Sequence, residues 1–172
     1  MISAIVCADL NNAIGYKGEL LERIPEDMEC FKKLTTDKLI IMGRKTWDSL
    51  PVKPLPNRFN WVITSNSHEA IYKNNSYFES DLISAIINLS LIKREQDIFI
   101  IGGGQIYEQL LPYCDCVYLT RILHKYPNAD TYFPDIESMP EWERISCSEV
   151  KQWCDIQYQF ELYGRIEGDS NG

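Results

Sequence analysis

The chain has 172 residues, of which 45% are apolar and 12% aromatic, so it can form one compact domain with a sizeable core. Its net charge of −8, with lysines and arginines scattered along the chain, excludes a basic stripe for nucleic acid and a polybasic membrane patch. The lack of a long apolar run and of a signal-peptide pattern favours a cytoplasmic protein. The charge pattern favours a small molecule as its partner, and we expect a monomer.

The first part of the chain predicts a buried strand, a long loop and a helix. Residues 2–8 are mostly apolar and predict the strand, and turn residues follow at 9–12. The connection then runs without secondary structure to about Ile24, a length that is typical of a functional loop or lid. Pro25 starts a helix that ends near Thr35, because its fixed φ suits the first helical position.

Strands and helices alternate through the middle of the chain, and strands alone follow. Strand-like runs lie within 39–50, 61–65, 76–79, 97–104 and 117–122, with a helix over about 81–93 and another after 104; two last strand-like runs lie near 144–151 and 155–165. The order predicts an α/β fold over residues 1–166, with a mixed, mostly parallel sheet of about eight strands, about four helices and an antiparallel C-terminal hairpin. We expect residues 167–172 to be a disordered tail.

Two strand ends carry residues suited to anions. The segment I-I-M-G-R-K-T (40–46) offers two cations, a hydroxyl and helix N–H groups to a phosphate, or else its cations are simply solvated. The segment I-I-G-G-G-Q-I-Y (100–107) permits close approach of a ligand to the backbone, or else forms a tight turn with close packing. It is not a Rossmann fingerprint, because Tyr107 stands at the third glycine position. Together the two ends favour a dinucleotide or phosphate ligand.

One carboxylate of the first helix faces the protein interior. Asp27 shares the apolar face with Phe31 and Leu34, whereas Glu26 and Glu29 fall on the side that meets water. A carboxylate on an apolar face needs a strong hydrogen-bond partner, so Asp27 either caps a structural group or binds a cationic or amidine-like ligand.

The cysteines and histidines do not predict a metal site. The six cysteines occur without a C-x-x-C pair, and the chain has only two histidines, in polar segments. We therefore expect reduced thiols in the core and no metal.

In order along the chain, six segments resemble the dihydrofolate reductase family. They are I-S-A-I-V-C-A-D-L-N-N-A-I-G, I-P-E-D-M-E-C-F-K-K-L-T, I-M-G-R-K-T-W-D-S-L with P-L-P-N-R, I-I-G-G-G-Q-I-Y-E-Q-L-L-P, V-Y-L-T-R-I and D-T-Y-F-P. The resemblance implies reduction of 7,8-dihydrofolate to tetrahydrofolate by hydride transfer from NADPH, in support of one-carbon and thymidylate metabolism. It also implies that antifolate inhibitors bind.

The resemblance implies roles for particular residues. Asp27 would bind the amidine-like edge of the pterin and favour protonation of the imine nitrogen, with Thr120 hydrogen-bonded behind it, and the proton would arrive through water. The substrate-binding residues would be Ile5, Cys7, Met28, Phe31, Leu50, Leu55, Arg58 and Ile101, with Arg58 holding the α-carboxylate of the glutamate tail. The cofactor-binding residues would be Ala8, Ala13, Ile14, Leu20, Gly43, Arg44, Lys45, Thr46, Thr64, Ser65, Gly102, Gly103, Gly104, Gln105, Ile106 and Tyr107.

Two departures of the chain from the family pattern bear on the cofactor and substrate sites. Gln105 stands where an arginine is frequent, which bears on the preference for NADPH over NADH. Leu21 and Glu22 stand where the family usually has proline and tryptophan. Glu22 either points to solvent, with Arg23 or Leu21 filling the tryptophan's space, or alters inhibitor binding and loop closure.

Two rival functions follow from the same residues. The same fold could reduce another pyrimidine or pterin, as in riboflavin biosynthesis, but Asp27 with Arg58 favours folate. A binding or structural protein could also keep the fold and the cofactor pocket without turnover.

Overall fold

The computed structural model describes residues 1–65, 71–73 and 75–166, with side chains left undescribed at 71–73. The tail predicted at 167–172 lies outside the described residues. Within the described ranges, no helix is both long enough and apolar enough to cross a membrane.

The predicted elements are present, with additional short strands. The strands are β1 (Ile2–Ala8), β2 (Ala13–Tyr16), β3 (Glu19–Leu20), β4 (Leu39–Gly43), β5 (Phe59–Ile63), β6 (Ile71–Lys73), β7 (Ser76–Glu79), β8 (Ile98–Ile100), β9 (Cys116–Ile122), β10 (Thr131–Tyr132), β11 (Trp142–Cys147), β12 (Lys151–Trp153) and β13 (Ile156–Arg165). The helices are α1 (Pro25–Thr35), α2 (Arg44–Ser49), α3 (Leu82–Ile92) and α4 (Gly104–Leu110).

The main sheet is parallel in its centre and antiparallel at its edges. Its order is β11-β13-β9-β1-β8-β4-β5-β7-β6, and β12 pairs with β13. The neighbours from β9 to β7 are parallel, whereas β13 is antiparallel to both β9 and β11. The predicted α/β class and the antiparallel ending are therefore confirmed.

The two faces of the sheet carry separate cores, because side chains alternate along each strand. On β5, Trp61 packs in a core with α3 and α4, whereas Val62 packs on the opposite face near α1 and α2. The residues of α1 and α2 that are predicted to be functional consequently lie over the second face, at the carboxyl ends of the parallel strands.

The segment between β1 and α1, here called the cleft loop (residues 9–24), is more ordered than the sequence predicts. It contains β2 and β3, and β2 pairs with β10 to form a three-stranded sheet. The prediction of a connection without secondary structure was wrong. Gly15 pairs with Thr131, more than 100 positions away in the sequence, so local pattern could not indicate the strand.

Candidate active site

Asp27 and Thr120 meet beside the carboxyl ends of the central strands. Asp27 lies in the first turn of α1, and Thr120 lies near the end of β9. The Thr120 hydroxyl donates a 2.6 Å hydrogen bond to Oδ1 of Asp27. The structure thus brings together the two residues to which the resemblance gives a part in the reaction.

The three acids near Pro25 have different surroundings. Asp27 is half-buried, and burial raises the pKa of its carboxyl group, while the Thr120 hydrogen bond opposes that rise. Glu26 is exposed and accepts hydrogen bonds from Lys151 at 2.9 Å and Tyr158 at 2.6 Å, which lower its pKa. The helical phase therefore separated Asp27 from Glu26 correctly.

Glu22, the third acid, is half-buried and accepts a 2.7 Å hydrogen bond from the hydroxyl of Tyr126. Leu21 packs in the apolar cluster that contains Ile24, while Arg23 is exposed and pairs with Glu19. The alternative in which Glu22 points to solvent was wrong. Tyr126 was not among the predicted site residues, and no spacing in the sequence links it to Glu22.

Cys7 forms part of the wall beside Asp27. It is paired in register with Thr120 across β1 and β9. Burial, with smaller contributions from Asp27 and then Glu22, holds the pKa of its thiol well above the usual value. The thiol therefore stays neutral and serves as an apolar wall.

The remaining predicted wall residues gather on one face of the sheet. Ile5, Leu50, Leu55 and Ile101 are partly buried against a core of Ile40, Met42, Val62 and Phe99. Phe31 is partly buried on α1, and Met28, at 38% exposure, lies at the rim. An apolar surface of this kind suits one face of a flat heterocycle.

Arg58 is a buried cation without an anionic partner among the described residues. It is only 7% exposed, and its Nε atom has no hydrogen-bond partner. Its guanidinium carbon lies 5.6 Å from the centre of the Phe31 ring. Burial lowers its pKa. A buried, unpaired guanidinium next to an apolar wall is suited to receive a carboxylate.

The two predicted anion segments lie side by side. The amide of Gly43 donates a 2.8 Å hydrogen bond to the carbonyl of Gly102. A Cβ atom at Gly43 would lie 2.9 Å from Ile106, and one at Gly102, where φ is +108°, would lie 2.9 Å from the Tyr107 ring. Close packing thus requires both glycines, which supports the tight-turn interpretation of this segment. A Cβ at Gly103 would lie 3.3 Å from Thr46 Oγ1, so the start of α2 borders the turn.

The predicted cofactor residues differ in their exposure. Arg44 and Lys45 are exposed at the start of α2, and Nε of Arg44 is 3.0 Å from Asp48. Thr64 is buried, whereas Ser65, Gln105 and Leu20 are exposed; Ala8, Ala13, Ile14 and Ile106 are buried, and Gly104 is half-buried.

Tyr107 links the glycine turn to β1. Its hydroxyl donates a 2.7 Å hydrogen bond to the carbonyl of Ile5, and its ring packs edge-on against Phe133 at 4.9 Å. Burial raises its pKa, so the hydroxyl remains a donor. Tyr107 therefore fixes the distance between the turn and Ile5, a residue of the predicted substrate wall.

Three buried polar residues that the sequence did not single out organise the cleft loop. Asp9 is fully buried and accepts hydrogen bonds from the amides of Asn11, Ala13 and Tyr126. Arg121 donates to the Asp9 carbonyl at 2.8 Å and is 3.7 Å from Glu161, which is also buried. The sequence alone does not show that these charged residues are buried, because many of their hydrogen-bond and ion-pair partners lie far along the chain.

Comparison with known proteins gives consistent matches over nearly the whole chain. The dihydrofolate reductase family model matches residues 1–165. The dihydrofolate reductase of Buchnera aphidicola subsp. Acyrthosiphon pisum is 37% identical over 166 residues, which cover 95% of this chain and 99% of that protein. The dihydrofolate reductase of Bacillus subtilis is 35% identical over 175 positions, covering 100% of this chain and 99% of the relative. A solved dihydrofolate reductase from Enterococcus faecalis, complexed with NADP(H) and RAB-propyl, superposes with a TM-score of 0.83 at 28% identity, covering 97% of each chain.

Proposed function

The chain belongs to the dihydrofolate reductase family, and we propose that it reduces 7,8-dihydrofolate to 5,6,7,8-tetrahydrofolate with NADPH in the cleft beside Asp27. The observation that carries the site assignment is the half-buried Asp27 carboxylate, which Thr120 holds at 2.6 Å beside an apolar wall. We assign the function to one domain over residues 1–166.

Asp27 binds and polarises the pterin. Its carboxylate accepts hydrogen bonds from the amidine-like edge of the ring, and the low polarity of the wall strengthens that contact. The negative charge raises the pKa of the ring, which favours protonation of the imine nitrogen by water. Thr120 uses one lone-pair direction of Oδ1 and so fixes the orientation of the carboxylate.

Arg58 binds the other end of the substrate. Its buried guanidinium has no carboxylate partner among the described residues, and the α-carboxylate of the glutamate tail would supply one. Asp27 and Arg58 together orient a ligand that is cationic or amidine-like at one end and anionic at the other. A ribityl-phosphate substrate does not require that pair of contacts.

The donor set near Gly43 fits NADPH. Two exposed cations, Arg44 and Lys45, and the hydroxyls of Thr46, Thr64 and Ser65 offer charge and hydrogen bonds to phosphate groups. When bound, NADPH supplies the hydride. Gln105 contributes no positive charge to the cofactor, so the preference for NADPH over NADH rests on Arg44 and Lys45.

The experiment is a steady-state assay of NADPH oxidation with dihydrofolate across pH. We expect Asp27→Asn to lower kcat/KM by about 10²–10⁴-fold at neutral pH, with partial recovery toward acid pH, where water protonates the substrate directly. Glu26→Gln is the matched control, because Glu26 lies one position away but is exposed and bonded to Lys151 and Tyr158. Equal activity of the Asp27→Asn and wild-type proteins would remove Asp27 from the mechanism. Absence of NADPH oxidation in a wild-type protein that binds NADPH would instead favour a binding role.

We further propose that the protein acts as a monomer in the cytoplasm. All of the residues assigned above come from one chain. The six cysteines are unpaired, as expected in a reducing compartment. Sedimentation at working concentration tests the monomer.

A further inference from the structure

We infer that Glu22 and Tyr126 are a positioning pair. Their hydrogen bond holds residues 18–24, the end of the cleft loop nearest Asp27, in place. The hydroxyl of Tyr126 donates to Oε1 of Glu22 at 2.7 Å, and the two residues are 104 positions apart. The bond therefore joins two loops whose relative position the sequence alone does not determine. Its role in turnover rests on the function proposed above, whereas its effect on the loop does not.

Tyr126 is itself held from several sides. Its backbone amide donates a 2.8 Å hydrogen bond to the buried carboxylate of Asp9, and its ring packs edge-on against His124 at 4.8 Å. Burial and the neighbouring Glu22 carboxylate keep its pKa well above the usual value, so its hydroxyl remains a donor. A fixed donor that faces a carboxylate forms a charge-assisted hydrogen bond, which is the stronger kind.

The Glu22–Tyr126 bond attaches a part of the cleft loop that the other hydrogen bonds to residues 123–133 do not. Residues 9–17 are attached to the 123–133 segment through hydrogen bonds that include Leu10 N to His124 O, Phe133 N to Asn12 O and Lys17 N to Asp130 Oδ2. Among the described residues, one hydrogen bond joins residues 18–24 to that segment, and it is the bond between Glu22 and Tyr126. Loss of this bond should therefore loosen the end of the loop nearest Asp27, which is then held by the packing of Leu21 and Ile24 and by the β2–β3 pairing, and leave the other end attached.

Two exposed basic residues in the cleft loop allow its opening to be measured by trypsin cleavage. Lys17 and Arg23 are exposed trypsin sites that bracket residues 18–22, and Ile24, directly after Arg23, is fully buried. Cleavage after Arg23 requires Ile24 and its neighbours to leave the apolar cluster, so the cleavage rate reports the population of the open loop. Mass spectrometry assigns each cut.

The chain also offers a matched control. Tyr158 donates a 2.6 Å hydrogen bond to Glu26, so it repeats the tyrosine–carboxylate chemistry within the same apolar cluster. That bond joins α1 to β13 rather than the two loops. Tyr158→Phe should leave cleavage after Arg23 unchanged.

We expect Tyr126→Phe to speed cleavage after Arg23 by about tenfold, the scale of a lost hydrogen bond to a charged group. Glu22→Ala should do the same, and the double variant should add little, because each change removes the same bond. Glu22→Gln should lie between, since its amide oxygen can still accept. In turnover, we expect kcat to fall by roughly threefold or more with KM for dihydrofolate within about twofold, because loop position affects the closed complex more than substrate capture.

Several outcomes would overturn the pairing. Cleavage of Tyr126→Phe at the wild-type rate would do so, as would multiplicative effects in the double variant. An equal gain in Tyr158→Phe would show a general loosening of the cluster. Proteolysis needs no turnover, so an inactive wild-type protein would refute the proposed function without affecting the loop result.

Discussion

Arg58 offers a test in which activity and stability should move in opposite directions. Arg58 is 7% exposed, its Nε atom has no hydrogen-bond partner, and its guanidinium carbon lies 5.6 Å from the centre of the Phe31 ring. Replacing it by methionine keeps an unbranched apolar side chain in the space. The substitution removes the proposed partner of the substrate's α-carboxylate and, in the free protein, an unpaired buried charge.

The two effects can be estimated separately. A charge-assisted pair contributes about 1.5–3 kcal/mol, so Arg58→Met should raise KM for dihydrofolate by roughly 10–150-fold. In the free protein, loss of the cation–π contact costs about 0.5–1 kcal/mol, whereas removal of an unsatisfied buried group recovers about 1–3 kcal/mol. The net change is a gain of about 1 kcal/mol, or roughly 2–4 °C in Tm for a chain of this size.

The assay compares two substrates and adds a thermal melt. Dihydrofolate and a dihydropterin without the glutamate tail are reduced by the wild-type, Arg58→Met and Arg58→Lys proteins. Arg58→Met should lose only the tail-dependent part of kcat/KM, and Arg58→Lys should be intermediate, because an ammonium keeps the charge but not the two-pronged geometry. An equal loss with both substrates, or a lower Tm in the ligand-free Arg58→Met protein, would refute the reasoning.

Two further predictions concern buried charges. Asp27→Asn should stabilise the free protein at pH 7, by about 1 kcal/mol as for a typical single-site change, because burial raises the pKa of Asp27 and the folded state therefore disfavours its ionised form. Denaturant melts should show no advantage below the usual pKa of 3.8, an advantage that grows from there up to the raised pKa, and a constant advantage above it. Arg121→Ala should cost about 3–5 kcal/mol in the same melts, since it leaves the buried Glu161 without one of its cations, and a loss below about 1 kcal/mol would show that the pair is not coupled to folding.

The order of strands and helices could be predicted because it depends on short sequence patterns, each a few residues long. The apolar run at 39–42, the proline that begins α1 and the glycines that follow β8 each restrict the backbone over a few residues. The helical phase of α1 also separated Asp27 from Glu26, since 3.6 residues per turn leave little choice once one face packs on the sheet. Local pattern was therefore sufficient to predict the fold class and the leading candidate acid.

The contacts that complete the site were decided by the tertiary structure. Glu22 accepts a hydrogen bond from Tyr126, which is 104 positions away in the sequence, and β2 pairs with β10, which is more than 100 positions away. The burial of Arg58 beside Phe31 likewise depends on how α1 lies over the sheet. Hydrogen bonds and burial act over a few ångströms in space regardless of distance along the chain, so a local pattern can predict which residues are capable of such contacts but only the folded chain selects the partners.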